Sequence, residues 1–422
     1  MDTLREHYSR LLGLEEGWIV LDVNLDLEAG RVRILVDWER GRGGPCAQCG
    51  TEGTYYDCRG EREWRHLDTM QFETVIAAEV PRCQCPKCGG VRSMRVPWAG
   101  PGSRFTLLFE AMAILLMQKM QTVEAARRHL KLSWESCAAI RARAVERGME
   151  RRSQEERTVY YVGIDEKSFG RGQSYVSVAS DPVHSRVLEV EENRDQAAAV
   201  AVLEKAVPPQ RRVEVMGVIA DFWKAYASAA TEVFPEADLI HDRYHVSAYL
   251  NEAVDKVRKA EHRALQQDGS ETLTGQRWLF LMSPENWSRQ QSATFKELAA
   301  RELKVARAWM FKELFRHFWE QRTLKKGMEF FTGWWRRAKR SKLPPLKEVA
   351  DMLKRHLQGL LNYITHPITN GVAEAMNSVI QTLKSLARGF RTFANYRVAI
   401  LFHCGDLDML PVLNQPSHTI PR

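Results

Sequence analysis

The periodicity of apolar positions changes several times along the chain. Residues 1–40 alternate apolar with charged positions, as in Val32-Arg-Ile-Leu-Val-Asp-Trp38, which predicts short half-buried strands. Gln71–Val80 has the same strand character. From Phe105 to Gln118 an apolar stripe recurs at helical spacing, and two further helices follow over Thr122–Leu130 and Ser133–Val145. Thr122 and Ser133 suit the N-cap positions, and Glu124 and Glu135 favour the first turns electrostatically. Residues 150–157 are charged and read as a linker. Beyond Thr158 the pattern becomes β-branched and aromatic. It predicts strands over Val159–Asp165, Ser174–Ser180 and Arg186–Val190, a helix over 195–206, a strand over 213–220, a helix over 222–232 and a strand near Ala237–Ile240. Residues 246–365, rich in Lys, Arg, Glu, Leu and Trp, read as helices.

Three antiparallel strands followed by alternating helices and strands is the element order of a ribonuclease-H-like domain. The expected fold class is therefore multidomain α/β, with such a core interrupted by a long helical insertion. The expected domains are a cysteine-rich module over 1–100, a helix-turn-helix over 101–150, a core from 158–245 and 366–410, and the insertion over 246–365.

Composition narrows the choices. A chain of 422 residues allows two to four domains, and 44% hydrophobic residues is a globular proportion. The apolar run Ala111–Met117 is far too short to span a bilayer, and Met1–His7 lacks a signal-peptide pattern. A cytoplasmic protein, away from membranes, is expected. The net charge of +8 permits nucleic-acid binding without proving it.

Six of the eight cysteines crowd into residues 46–88, which in a reducing compartment points to metal rather than disulfides. Cys46-Ala-Gln-Cys49 and Cys85-Pro-Lys-Cys88 are each followed by glycine. Two such knuckles would close a tetrahedral structural zinc site. The 35 residues between the pairs exceed the usual ribbon spacing, an excess that a hairpin would absorb. Cys58 and Cys83 are spare thiols, and either could replace a ligand.

Three acids carry the candidate chemistry. Asp165 and Asp221 each end a strand-like run, and Glu374 opens a helical stretch. Brought together, they would hold two divalent metals roughly 3.5–4 Å apart for phosphodiester chemistry. Glu166, one residue along the same strand, should face the opposite side and be dispensable. In the helix-turn-helix, Trp134, Arg141 and Arg143 would face DNA. Within the insertion, the Lys325–Lys342 stretch interleaves bases with aromatics. There Trp334, Trp335, Arg336 and Arg337 would stack on an unpaired base and hold phosphates.

At the level of motifs, the chain resembles the ISL-three family of bacterial insertion-sequence transposases over nearly its whole length. The matching stretches are Gly163-Ile-Asp165-Glu-Lys-Ser-Phe169, Ile219-Ala-Asp221, His241-Asp-Arg-Tyr-His-Val246 and Thr369-Asn-Gly-Val-Ala-Glu374-Ala-Met-Asn377, the last continuing through Ile380–Arg391. The resemblance implies DNA transposition by a DDE domain with magnesium or manganese at Asp165, Asp221 and Glu374. The partners expected are terminal inverted repeats and target DNA, bound by a homodimer in the nucleoid. Lys384, Arg388 and Arg391 would neutralise phosphates, while His241, Asp242 and His245 would support the site from behind. A transposase-derived DNA-binding regulator and a structure-specific nuclease on the same fold are the rival readings.

Overall fold

In a computed structural model of the chain the described residues are 2–14, 16–120, 122–170, 174–368 and 371–412, without the side chains of 2, 3 and 372–374. They form two compact units, Met1–Gln154 with Leu407–Arg422, and Glu155–Asp406.

The first unit opens with a helix, α1 (Asp2–Leu12), where the sequence predicts strand. Tyr8 and Leu12, four apart, lie on one helix face and pack on the core of the unit, a spacing that the alternating pattern obscures. The strands are β1 (Trp18–Asp26), β2 (Arg31–Trp38), β3 (Gly44–Pro45), β4 (Glu52–Arg65), β5 (Glu73–Gln84) and β6 (Val91–Ser93). They join in the order β1-β2-β5-β4-β3, with β6 beside β5. Long β4 and β5 form an antiparallel hairpin with two register shifts, and this hairpin takes up the chain between the two cysteine pairs. A chain of edge-to-face indoles, Trp38–Trp18–Trp98–Trp64, fills the core at centroid distances of 5.1, 4.7 and 5.5 Å.

Three capped helices follow: α2 (Leu107–Lys119), α3 (Val123–Leu130) and α4 (Trp134–Ser153). Thr122 and Ser133 accept from the backbone of Ala125 and Ser136, as the N-cap pattern predicts. Lys131, left-handed at φ +54°, turns α3 into α4. The last helix runs into the stretch expected to be linker, because its Glu and Arg residues are good helix formers with no breaker among them.

The second unit is built on a five-stranded sheet ordered β11-β10-β7-β8-β9. The strands are β7 (Tyr161–Ser168), β8 (Tyr175–Asp181), β9 (Arg186–Glu192), β10 (Gly217–Ala220) and β11 (Asp238–His241). The first three are antiparallel, whereas β10 runs parallel to both β7 and β11. The expected strand over 213–220 keeps only its second half. Pro209–Glu214 forms a 3-10 turn that leaves Val213 exposed, since Pro208 and Pro209 start a turn there.

Alternation sorts the two faces of this sheet. Val162, Ile164, Val218 and Ala220 pack on α5 (Gln196–Ala206) and α6 (Lys224–Val233). Ile219 and Ile240 face the other way, with Tyr161, toward Tyr363. From β11 the chain enters α7 (Arg243–Gln267), capped by Asp242, and then α8 (Arg277–Leu281), α9 (Arg289–Ala300), α10 (Lys304–Arg316), α11 (Leu324–Arg340), α12 (Pro344–Arg355) and α13 (Leu357–Thr365). These helices enclose a core of their own around Phe315, Phe318, Phe331, Trp334 and Leu353. The chain then returns to the sheet through α14 (Gly371–Leu386) and α15 (Phe393–Cys404). Arg397 of α15 binds Glu189 of β9 through two bonds of 2.6 Å.

Candidate functional site

In the first unit the Sγ atoms of Cys46, Cys49, Cys85 and Cys88 all lie within 4.8 Å of one another. Each pair is a tight turn: Gly50 N donates to Cys46 O at 2.9 Å, and Gly89 N to Cys85 O at 3.1 Å. Both glycines take positive φ, +71° and +68°, which explains why glycine follows each knuckle. Thr51 donors draw the Cys49 thiol down to about 6. Cys58 and Cys83 lie outside this group: Cys58 meets the Tyr55 hydroxyl at 3.5 Å, and Cys83 is buried beneath Gly53. The four soft ligands fit zinc as a closed structural site.

In the second unit the parallel register pairs Ile219 with Gly163. Two residues on, the same alternation puts Asp221 beside Asp165 on the same face of adjacent strands. Asp165 Oδ1 accepts from Glu166 N at 2.8 Å, and Oδ2 accepts from Asn377 Nδ2 at 2.7 Å. Lys167 Nζ lies 3.3 Å from the same Oδ2. Asp221 Oδ1 accepts from Trp223 N at 2.8 Å. Burial, with the charge of Asp165 added, holds the Asp221 carboxyl above the usual range, against the pull of the Trp223 amide and His245. Two carboxylates on one face of neighbouring strands are donors of the kind a hard divalent cation takes.

Helix α14 is clipped to β7 at two points. Asn377 reaches Asp165, and Lys384 Nζ donates to Ser168 O at 2.9 Å and to Ser168 Oγ at 3.0 Å. Position 374 precedes Asn377 by three residues and so shares its helix face. The side chain of Glu374 itself lies outside the described residues. Glu166 is on the opposite face of β7, as alternation requires, and its carboxylate binds Arg194 Nη1 at 3.2 Å. It is also pushed upward by burial.

The supporting residues have separate tasks. Asp242 caps α7 by accepting from Tyr244 N at 3.1 Å. His241 is buried between Phe222 and His356, and burial lowers it to about 4. His245 belongs to the electrostatic surroundings of Asp221.

Several expected DNA contacts are corrected. Arg141 is buried, because α4 turns it inward, and is not available to touch DNA. Arg143, with Arg147, pairs with the buried carboxylate of Glu110, which would be costly left alone. Trp334 is fully buried in the insertion core, and its indole donates to Phe311 O at 3.0 Å, so it cannot stack on a base. Trp335 is partly buried, bonded to Asp351 and covered by the Lys354 ammonium. Trp134, Arg336, Arg337, Arg388 and Arg391 are exposed, whereas the ammonium of Lys384 is engaged by Ser168. The sequence reading missed Asn377, Arg194 and Trp223. Two signals were present: Asn377 is three residues past Glu374, and Trp223 two past Asp221.

With this geometry in hand, comparison with known families identifies the chain. A transposase domain profile matches residues 162–400, more than half of the chain. Profiles for the helix-turn-helix domain of transposase family ISL3 and for the zinc-finger of transposases IS204, IS1001, IS1096 and IS1165 match residues 94–145 and 42–88. The chain belongs to the ISL3 family of DDE-type insertion-sequence transposases. It is 27% identical over 350 residues to the transposase for insertion sequence element IS1001 of Bordetella parapertussis, covering 82% of this chain and 85% of that protein. It is also 27% identical over 436 residues to the transposase for IS1557 of Mycobacterium tuberculosis, covering 96% of each. Among the described residues no helix is long and apolar enough to cross a membrane.

Proposed function

We propose that this protein binds the terminal inverted repeats of its own element, cuts the DNA there and joins the freed ends to target DNA. The observation that carries this reading is the pair Asp165 and Asp221, on one face of adjacent parallel strands, with α14 clipped beside them through Asn377. In this reading the sheet with α5, α6, α14 and α15 is a ribonuclease-H-like core, residues 246–365 are an insertion, and Glu374 supplies the third carboxylate. Magnesium or manganese held by these acids would make water or a DNA 3′-hydroxyl a better nucleophile and would stabilise the departing oxygen. Asn377 and Lys167 keep the Asp165 carboxylate turned toward Asp221. The cysteine-rich module and the helix-turn-helix recognise the repeats, with Trp134 at the exposed start of α4. Arg336, Arg337, Arg388 and Arg391 are the exposed cations proposed to meet phosphates. A homodimer working on DNA in the nucleoid completes the reading.

The test is to incubate purified full-length protein with magnesium and DNA carrying the ends of its element. Cleavage at the ends followed by strand-transfer products is expected. Binding without cleavage would overturn the reading in favour of a regulator, and cleavage without joining in favour of a nuclease.

A further inference from the structure

Beside the two aspartates stands an arrangement that the hydrolytic chemistry does not use. Trp223 lies two residues past Asp221, and its backbone amide donates to that carboxylate, which ties the chain at Trp223 to the site. Its indole Nε1 donates to Arg194 O at 3.3 Å. The Arg194 guanidinium carbon lies 4.1 Å from the Tyr175 ring centroid and 5.4 Å from that of Trp223. Glu166 holds the same guanidinium at 3.2 Å. The result is a layered stack, Tyr175–Arg194–Trp223, whose last member is 45% exposed.

Trp223 stands just before the first turn of α6 and keeps much of its indole in solvent, although burial of an indole is strongly favourable. A partly exposed indole packed against a guanidinium matches one class of ligand closely: the flat face of an unpaired nucleobase. Stacking of this kind ignores sequence, because every base has such a face.

We propose that Trp223, supported by Arg194 and Tyr175, seats an unpaired nucleobase of the DNA next to the phosphate held at Asp165 and Asp221. This rests on the proposed DNA chemistry at those aspartates. Drawing one base out of the duplex exposes the backbone at the carboxylates, at the cost of lost stacking that the indole restores.

The test uses full-length protein, calcium in place of magnesium, and a short duplex carrying a single unpaired 2-aminopurine, read by fluorescence and by affinity. Wild-type protein should quench the probe. Trp223→Ala should remove the quench and weaken binding on the order of tenfold, and Trp223→Phe should keep most of both. Replacing the unpaired nucleotide by an abasic one should weaken wild-type binding by a similar factor and leave Trp223→Ala unaffected. The wild-type half of this comparison needs no variant, and Trp223→Phe supplies the second protein where the alanine variant folds poorly. Equal losses in the alanine and phenylalanine variants would assign Trp223 to its bond with Arg194 and overturn the proposal. So would a wild-type protein indifferent to removal of the base. Because calcium permits binding to be read without cutting, absence of cleavage would count against the proposed function and not against the stacking seat.

Discussion

The two candidate metal centres differ in how much of each is finished before a metal arrives. In the first unit four like ligands already converge, two from each glycine-ended turn, and no position is left for a substrate. In the second, two hard ligands share a face, and one is held by an amide and an ammonium from its neighbours. Thiols packed this closely cannot all ionise without a cation, so the first centre ties metal to folding. The aspartates are tied instead to α14 and to the sheet, whose other face packs with α5 and α6 around a core of its own. A centre proposed to take substrate and release product has reason to stay open, whereas one that only holds strands together does not.

The largest effect should come from removing the metal of the first unit. Stripping zinc with a strong chelator, or making Cys46→Ser, should cost on the order of 10 kcal/mol of folding free energy there. The indole chain Trp38–Trp18–Trp98–Trp64 provides the readout, because its edge-to-face packing is lost with the fold. Near-ultraviolet circular dichroism should collapse on chelation and return with added zinc. An unchanged spectrum in metal-free protein would mean that the unit folds without its centre, and the contrast drawn above would fail.

Next in size is the loss of one aspartate. Asp165→Asn or Asp221→Asn should each reduce cleavage at least about a thousandfold, because groups that act as a unit fail together. Folding should be spared. Burial and the charge of Asp165 hold the Asp221 carboxyl above its ordinary range, so metal-free Asp221→Asn protein should melt no lower than wild type at neutral pH. A variant that melts well below wild type would show Asp221 to be structural, like the cysteines.

How legible these centres were follows from the same contrast. Both cysteine knuckles could be read directly, since ligand type, spacing and the trailing glycines all act within a few residues. Asp165 and Asp221 were legible as strand ends, but their supports were not. Asn377 meets Asp165 across 212 positions of chain, and Arg194 reaches Glu166 from the far end of a hairpin. The basic and aromatic stretches misled for a physical reason. Arg143 and Trp334 are as suited to a buried carboxylate and a helical core as to DNA, and only packing decides between the two. The strand reading of Val213 failed because apolar character outweighed the Pro208–Pro209 turn signal.

A smaller effect should follow from loosening one support of the aspartates. Asn377→Ala removes the 2.7 Å donor to Asp165 and should slow cleavage about tenfold, the order expected for misplacing a catalytic group modestly. Asn377→Asp should do more, by setting a third negative charge against Asp165. The dependence on magnesium distinguishes a positioning role from a structural one: for the alanine variant the half-saturating concentration should rise, with melting unchanged. A rate loss that no metal concentration alters, accompanied by a lower melting temperature, would assign Asn377 to packing alone.

A further effect concerns acid stability of the first unit, where the cysteines have a competitor. His66 is held down to about 4, mainly by burial and further by Arg65. Its Nδ1 meets the hydroxyl of Thr106 at 3.0 Å, and that hydroxyl also caps α2. The folded pKa lies below the unfolded value of 6.5, so between these two values the unfolded chain binds a proton that the folded chain refuses. Stability from this group is therefore complete above about 6.5 and is lost as the pH falls toward 4, at up to about 1.4 kcal/mol per pH unit. Thiolate protonation releases zinc in acid as well, so the wild-type curve mixes two causes. Comparing wild type with His66→Asn at each pH isolates the histidine: the variant should start less stable at neutral pH and converge on wild type as the pH falls. Melting curves that stay parallel across this window would leave the cysteines as the whole source of acid lability in the unit.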